Sequence, residues 1–353
     1  MTELLRDKKW SAFTIEALFR IEKVSGLPTE NYKDGKAPYI STSSTNNGLI
    51  NFVLARGGDI SKGNCISVDP IKGISFYQPF DFVGRGFSGA SINLLYSDKI
   101  NRYTALFICK AIEKTAGTKA SYGYLFNGDR LAKAKVFLPI TNKGEPDYKF
   151  MEEYVKEQEN LLKKQYKDII RSRVAKLQRN LANSNNWKDF KVKDLFPIMV
   201  AGKSKGLNHL NQVSVGGINY LGATNRNNGV LCFVNEKGNK KLIQKGNCIA
   251  FIRNGEGSMG YSVYKAEDFI STSDITLGYN NKINRYSGMF ITTIADRVRG
   301  KYSFNYKRSD TRLREEVLTL PVNSKGDPDY KYMEDYMRYL EQQKILSYLD
   351  YIS

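Results

Sequence analysis

Histidine is nearly missing from this chain: His209 is the only one among 353 residues. One imidazole cannot build a Ser-His-Asp triad or a histidine-based metal cluster, so a surface or base-contacting role is expected for it. Cysteine is sparse as well. Cys65, Cys109, Cys232 and Cys248 stand singly among mostly apolar neighbours and never as CxxC, which predicts reduced core residues rather than ligands or disulfides. No apolar run reaches the roughly 18 residues that a membrane-crossing helix needs. The opening MTELLRDKKW lacks the apolar stretch of a secretion signal, so a cytoplasmic protein with no membrane partner is expected. Acidic residues are under-represented: 36 Asp+Glu against 54 Lys+Arg give a formal charge of +18. Such an excess exceeds what solubility requires and points to a polyanionic partner, with nucleic acid the leading candidate over a merely basic surface or ribosomal or membrane association.

Catalytic signatures are equally scarce. There is no P-loop, and no Asn-Pro-Pro-Tyr or Asp-Pro-Pro-Tyr with which an amino-methyltransferase would hold a flipped base. Two stretches fit G-x-G-x-x-G, Gly84 to Gly89 and Gly255 to Gly260, but they lie in the middle of their domains and lead into more strand. A dinucleotide site needs them between a first strand and its helix, so tight turns are the better reading. Arg85 and Arg253, inside or beside these turns, are candidates for contact with phosphate or guanine. Pro146-Asp147 with Glu152 or Glu153 and Lys156 loosely evokes a PD-(D/E)xK nuclease, yet these residues fall on a helix start, in the wrong chain context.

What the chain does have is a second copy of itself. Trp10, Phe13, Leu18 and Phe19 in WSAFTIEALFRI return as Trp187, Phe190, Leu195 and Phe196 in WKDFKVKDLFPI. Tyr39 and the turn Asn46-Asn47-Gly48 return as Tyr220 and Asn227-Asn228-Gly229, and KGEPDYKFMEEY (143–154) returns as KGDPDYKYMEDY (325–336). This period far exceeds that of a solenoid repeat, so two similar domains are meant. Shared residues are mostly framework, whereas the stretches that differ are polar and loop-like, as expected if one task is performed on two targets.

Each copy shows short β-rich runs, at 63–68, 73–77 and 90–96 and again at 246–253, 260–264 and 273–277. A helical stretch follows at 102–115 and 285–297, and a closing strand at 135–139 and 317–321. From 148 to 182 there is neither Gly nor Pro, and Glu, Lys, Gln, Arg and Leu dominate, which predicts a helix of about 50 Å. Its apolar positions recur mostly at three- or four-residue steps, a narrow stripe like a coiled-coil seam, and a second such helix runs from Pro328-Asp329 towards Ser353. The expected fold is α+β: two similar α/β domains, 1–146 and 187–327, with long helices at 147–186 and 328–353. If the two helices lie side by side to bury their stripes, pseudo-twofold symmetry makes them antiparallel, with one domain at each end; the alternative is that each packs back on its own domain.

Two loop sets carry the chemistry suited to reading DNA. Ser43, Ser44, Thr45 and Asn46 align with a stretch containing Asn225 and Arg226, and Asn and Arg can pair bidentately with adenine and guanine. Lys119, Tyr122, Tyr124 and Arg130 face a counterpart in Tyr306, Lys307, Arg308 and Arg312, where tyrosines interleaved with cations suit backbone contact and stacking.

With these motifs in place, the chain resembles the specificity subunits of type I restriction-modification systems, and type IIB systems use a similar subunit. The resemblance covers essentially the whole length and rests on W-x-x-F-x-(I/V)-x-x-L-F-x-I and P-D-Y-K-(F/Y)-M-E, each present twice. It implies two target recognition domains, each reading half of a split site in double-stranded DNA, and helices that set the gap and dock methyltransferase subunits, for which the two similar helix starts imply two similar docking places. A restriction subunit is a further candidate partner. Docking positions would then be Met151, Val155, Leu162, Ile169 and Leu177, with Met333, Met337 and Leu340 in the second helix. It also implies a chain without chemistry or cofactor of its own, S-adenosylmethionine and Mg²⁺ belonging to partner subunits. The second helix ends at Ser353, short of its counterpart, a departure from full symmetry. A self-sufficient nuclease or methyltransferase, and a generic protein scaffold, are the competing readings.

Overall fold

The computed structural model describes residues 5–87, 90–115, 120–121, 123–181, 186–214, 216–255, 257–303 and 305–352. The chain divides into two compact units, Met1–Lys164 and Gln165–Ser353, and the helix Tyr148–Leu181 runs unbroken across the division.

In the first unit a four-stranded antiparallel sheet has the order Arg20–Lys23, Asn93–Tyr96, Cys65–Val68, Ser75–Gln78. A second sheet has the order Leu49–Val53, Asp34–Ile40, Phe82–Gly84, Ile60–Ser61, and its Asp34–Ile40 and Phe82–Gly84 strands are parallel. The opening strand Trp10–Thr14 pairs antiparallel with the closing strand Lys135–Pro139, Trp10 opposite Pro139. Helix Arg102–Thr115 covers the first sheet. Its apolar face, with Ile108 and Ile112 fully buried, closes on Ile15, Phe19, Ile66, Leu95, Val136 and Leu138.

The second unit repeats this topology. Its sheets run Ile198–Ala201, Ile275–Tyr279, Cys248–Ile252, Ser262–Lys265 and Gln212–Val213, Val230–Val234, Ile218–Leu221, Phe269–Ser271. Strand Trp187–Lys191 pairs with Val317–Pro321, and helix Arg285–Ala295 covers the first sheet. Core positions correspond: Val192, Phe196, Ile249, Ile291, Leu318 and Leu320 stand where the first unit has Ile15, Phe19, Ile66, Ile108, Val136 and Leu138. The sheets differ at an edge. The extra residues near 202–217 supply strand Gln212–Val213, which pairs outside Val230–Val234 and has no counterpart in the first unit.

The expected helix at 102–115 and closing strands at 135–139 and 317–321 lie where the sequence places them. Two of the expected strands begin later than their hydrophobic pattern. Asn64 and Asn247 hold φ of 51° and 50°, so strand geometry starts only at Cys65 and Cys248. Each asparagine side chain accepts a hydrogen bond from a neighbouring strand's tyrosine hydroxyl, Tyr77 at 3.0 Å and Tyr264 at 2.8 Å. The second helix stops at Ala295 rather than 297, passing into a 3₁₀ segment, Asp296–Lys301.

Both long helices start by docking on their own unit. Asp147 and Asp329 accept the amides of Phe150 and Tyr332 at 3.0 and 2.9 Å, capping the first turn. Asn101 donates to Glu152 at 2.8 Å and Asn284 to Glu334 at 3.0 Å, while Lys8 binds Asp147 at 2.8 Å. The residues that evoked a nuclease thus hold a helix start. Met151 and Met333, expected to dock a partner, are instead fully buried in their units' cores. Their position explains this: the first turn still lies on the domain, so its apolar face points inward.

Within the second unit, residues 165–181 of the long helix lie antiparallel to the terminal helix Tyr330–Tyr351. Lys167 pairs with Asp350 at 3.0 Å and Asn180 donates to Asp335 at 3.1 Å, so one helix ascends as the other descends. Ile170, Val174 and Leu349 are buried between them, with Tyr339, Ile345 and Leu346 alongside. The seam therefore passes through Ile170 and not the neighbouring Ile169, which is 49% exposed. Adjacent helical residues point about 100° apart, so only one of the pair can face the seam.

Candidate DNA interface

The loop carrying the first set of candidates has the same frame in both units. Ser43 Oγ accepts the amide of Thr45 at 3.3 Å, and Thr224 Oγ1, at the matching place, accepts that of Arg226 at 3.2 Å. The next two residues, Asn46-Asn47 and Asn227-Asn228, all lie in the left-handed region, with φ between 48° and 55°. Gly48 and Gly229 follow at φ of 78° and 79° and send their amides back to Thr45 and Arg226 at 3.0 and 2.9 Å. Asparagine and glycine tolerate this geometry where other residues resist it, which is why Asn-Asn-Gly recurs. Asn47 Nδ2 donates to the Tyr77 carbonyl at 2.9 Å and Asn228 Nδ2 to that of Tyr264 at 3.3 Å, tying each loop to its neighbouring sheet.

This fixed frame holds up side chains that differ. Ser44, Thr45 and Asn46 are exposed in the first unit, and Asn225, Arg226 and Asn227 are exposed in the second. Ser43 is half-buried because its hydroxyl serves the turn.

The second set also repeats. Arg130 lies over the Tyr124 ring at 4.0 Å, and Arg312 lies over Tyr306 at 3.7 Å; both tyrosines are 48% exposed. A two-residue β-bridge closes each loop, Ser121 with Tyr124 and Ser303 with Tyr306. Lys307 is exposed beside Tyr306. Lys119 and Tyr122 lie outside the described residues.

Three arginines occupy less open places. Arg85 is half-buried, donates to the Ala90 carbonyl at 2.6 Å and lies over Phe87 at 4.3 Å. Arg253, also half-buried, donates to the Ser273 carbonyl at 2.7 Å. Arg308 corrects the expectation outright, being fully buried. Its Nε donates to Glu316 at 3.0 Å, and Nη1 donates to the carbonyls of Gly260 and Tyr261 at 3.0 and 3.1 Å. Tyr302 adds a bond to the same carboxylate at 2.7 Å. Arg308 is thus a core residue whose charge is neutralised inside the fold.

Nearby, burial holds the Asp296 carboxyl up at about 6, against the pull of the Ser262 amide, Arg308 and Arg299. Burial likewise pushes the thiols of Cys65, Cys109 and Cys248 up to about 12, leaving them inert, and all four cysteines are free. His209 sits exposed in a short 3₁₀ turn, Leu207–His209. Among the described residues no cluster of His, Cys, Asp and Glu could hold a metal, and no helix is long and apolar enough to cross a membrane.

Comparison with known proteins gives the family. The one described as "Type I restriction modification DNA specificity domain" matches twice, over residues 7–170 and 184–350, and the chain belongs to it. It is 28% identical over 345 residues to the type II restriction enzyme specificity subunit S.BcgI of Heyndrickxia coagulans, covering 96% of each chain. Solved structures similar to it include the S subunit of a type I restriction-modification system from M. genitalium, at 16% identity, 100% and 96% coverage and a TM-score of 0.36. The HsdS subunit of Thermoanaerobacter tengcongensis gives 10%, 98% and 91%, and 0.33. This chain is a specificity subunit of a restriction-modification system, and it works in DNA sequence recognition with methyltransferase partners.

Proposed function

We propose that each unit reads one half of a bipartite, asymmetric DNA target, and that the long helices set the gap and help dock two methyltransferase subunits. One observation carries the reading. The two units present different side chains, Ser44 and Thr45 against Asn225 and Arg226, from one and the same loop frame. Identical backbone with unlike exposed donors and acceptors is what two different half-sites call for. The repeated Tyr-Arg stacks are the same in both units and suit what both half-sites share, the phosphodiester backbone. Candidate docking positions on the helices reduce to Val155, Leu162, Ile169, Leu177, Met337 and Leu340, of which Leu162 is 66% exposed.

In this reading the chain performs no chemistry, and S-adenosylmethionine and Mg²⁺ belong to its partners in the cytoplasm. The purified chain, incubated with S-adenosylmethionine, Mg²⁺ and DNA, then gives no methylated or cleaved product, and the assembled complex methylates one split sequence. Turnover by the chain alone overturns the non-catalytic reading.

A further inference from the structure

In the second unit the turn between strands Cys248–Ile252 and Ser262–Lys265 runs over 253–261, longer than its counterpart at 69–74 in the first unit. Together with residues of the segment that follows the covering helix it encloses a hollow of about 680 Å³, lined by Asn254, Met259, Tyr261, Arg299, Tyr302 and Ser303 among others. Both walls are held from behind by the buried Arg308–Glu316 pair. Arg308 Nη1 donates to the carbonyls of Gly260 and Tyr261 at 3.0 and 3.1 Å, and the Tyr302 hydroxyl donates to Glu316 at 2.7 Å. The walls also meet each other: a Cβ on Gly260 would stand 2.7 Å from Arg299 Cα, and Arg299 Nη1 donates to the Tyr261 hydroxyl at 2.7 Å.

The place of the hollow limits what can enter it. On one side Gly255 lies against Ala223, whose carbonyl oxygen would be 2.9 Å from a Cβ there. Ala223 precedes Thr224, the residue that frames the loop presenting Asn225 and Arg226. On the other side Ser303 bridges to Tyr306, and the Tyr302 ring stacks on that of Tyr306 at 6.2 Å. The hollow thus lies between the two loops assigned to DNA contact. Those loops bring a duplex to it, and the part of a duplex that fits a concave pocket with aromatic walls is a base that has left the stack.

We propose that the second unit extrudes one base of its half-site, an adenine or a cytosine, and holds it in this hollow. Tyr302 and Met259 supply surfaces for stacking. Asn254 commits its Nδ2 to Asp274 at 3.3 Å, which leaves its carbonyl oxygen to accept the exocyclic amine of the base. Arg299, exposed and lying over the Tyr261 ring at 4.7 Å, keeps further N–H donors for the ring nitrogen beside that amine. The shorter turn of the first unit, Asp-Pro-Ile-Lys-Gly-Ile, brings neither a methionine nor a tyrosine to the matching place, so the extrusion belongs to one half-site. This inference rests on the half-site reading and adds to it a second way of selecting a base.

The assembled complex is titrated with duplexes of the target that methylome sequencing identifies, with the base opposite each position of the second half-site removed in turn. Removing the opposite base abolishes the cost of unpairing. Binding therefore tightens about tenfold or more at one adenine or cytosine besides any base that the methyltransferase itself extrudes. Ser303→Trp fills the hollow, so it removes that gain and leaves the gain at the methylated base. Ser303 is exposed and reaches Tyr306 through its backbone, so this replacement leaves the fold in place. The proposal is overturned if no position besides the methylated base gains, if the base that gains is a guanine or a thymine, or if Ser303→Trp leaves the gain intact. In each of those cases the complex still prefers its split target. A complex that prefers no split sequence overturns the half-site reading itself.

Discussion

Arg308 and Phe126 stand at matching positions of the two units, and the contrast shows what residue-scale reading of a sequence misses. The first unit fills the site with a buried apolar ring; the second fills it with a guanidinium paired to Glu316. A lone arginine among Lys307 and Arg312 looks like one more surface cation, and no spacing rule links it to a glutamate eight residues on. Glu316→Ala strands a buried charge and costs about 3–5 kcal/mol. The pair Arg308→Phe with Glu316→Ala, which borrows the first unit's solution, costs less than the single change; chemical denaturation of the three proteins checks the order. Asp296 gives a pH signature. Its carboxyl titrates at about 6 in the folded chain, against an ordinary aspartate value of 3.8 once unfolded, so the native state binds the extra proton and stability falls as pH rises between those values. Asp296→Asn, which keeps an acceptor for the Ser262 amide, removes that fall. The melting temperature of the variant relative to the parent then rises across this window and levels off above about pH 7. On the DNA-facing side, Arg130→Ala and Arg312→Ala weaken binding to all sequences alike and each lowers the salt slope by about 1. Arg226→Ala instead relaxes one position, at a cost of about 1–3 kcal/mol.

Elements were legible where their pattern is local. Helix Arg102–Thr115 and the closing strands Lys135–Pro139 and Val317–Pro321 follow directly from apolar spacing bounded by breakers. The Asn-Gly turns were legible because they occur twice. Strand Gln212–Val213 was not, since two residues carry no periodicity and only pairing with Val230–Val234 makes them a strand. The helix stripe was half right: its spacing identifies a seam, but the helix changes neighbours along its length. Met151 enters the domain core and Ile170 meets the terminal helix. Ile170→Ala is therefore expected to cost about 2–5 kcal/mol, measured by denaturation, whereas the same change at exposed Ile169 leaves stability nearly unchanged. If the helices act as a ruler, inserting four residues just after Leu162, ahead of that seam, adds about 6 Å. That is roughly two base-pair steps. Methylome sequencing of cells carrying the insertion should find the gap in the target widened accordingly, and an unchanged gap removes the ruler.

At the scale of the whole molecule, duplication organises everything else. The net charge of +18 draws the chain to DNA without telling sequences apart. Sequence discrimination requires the parts that differ between copies, and the structure shows those parts held on a common frame. The most direct test moves only those parts. In the intact restriction-modification complex, Ser44 and Thr45 are replaced by the Asn and Arg of the second unit, and the methylome of cells carrying it is sequenced beside the parent's. The account predicts a target altered in one half, with the other half and the gap between them unchanged. A target altered in both halves, or in neither while the complex still methylates, would contradict it.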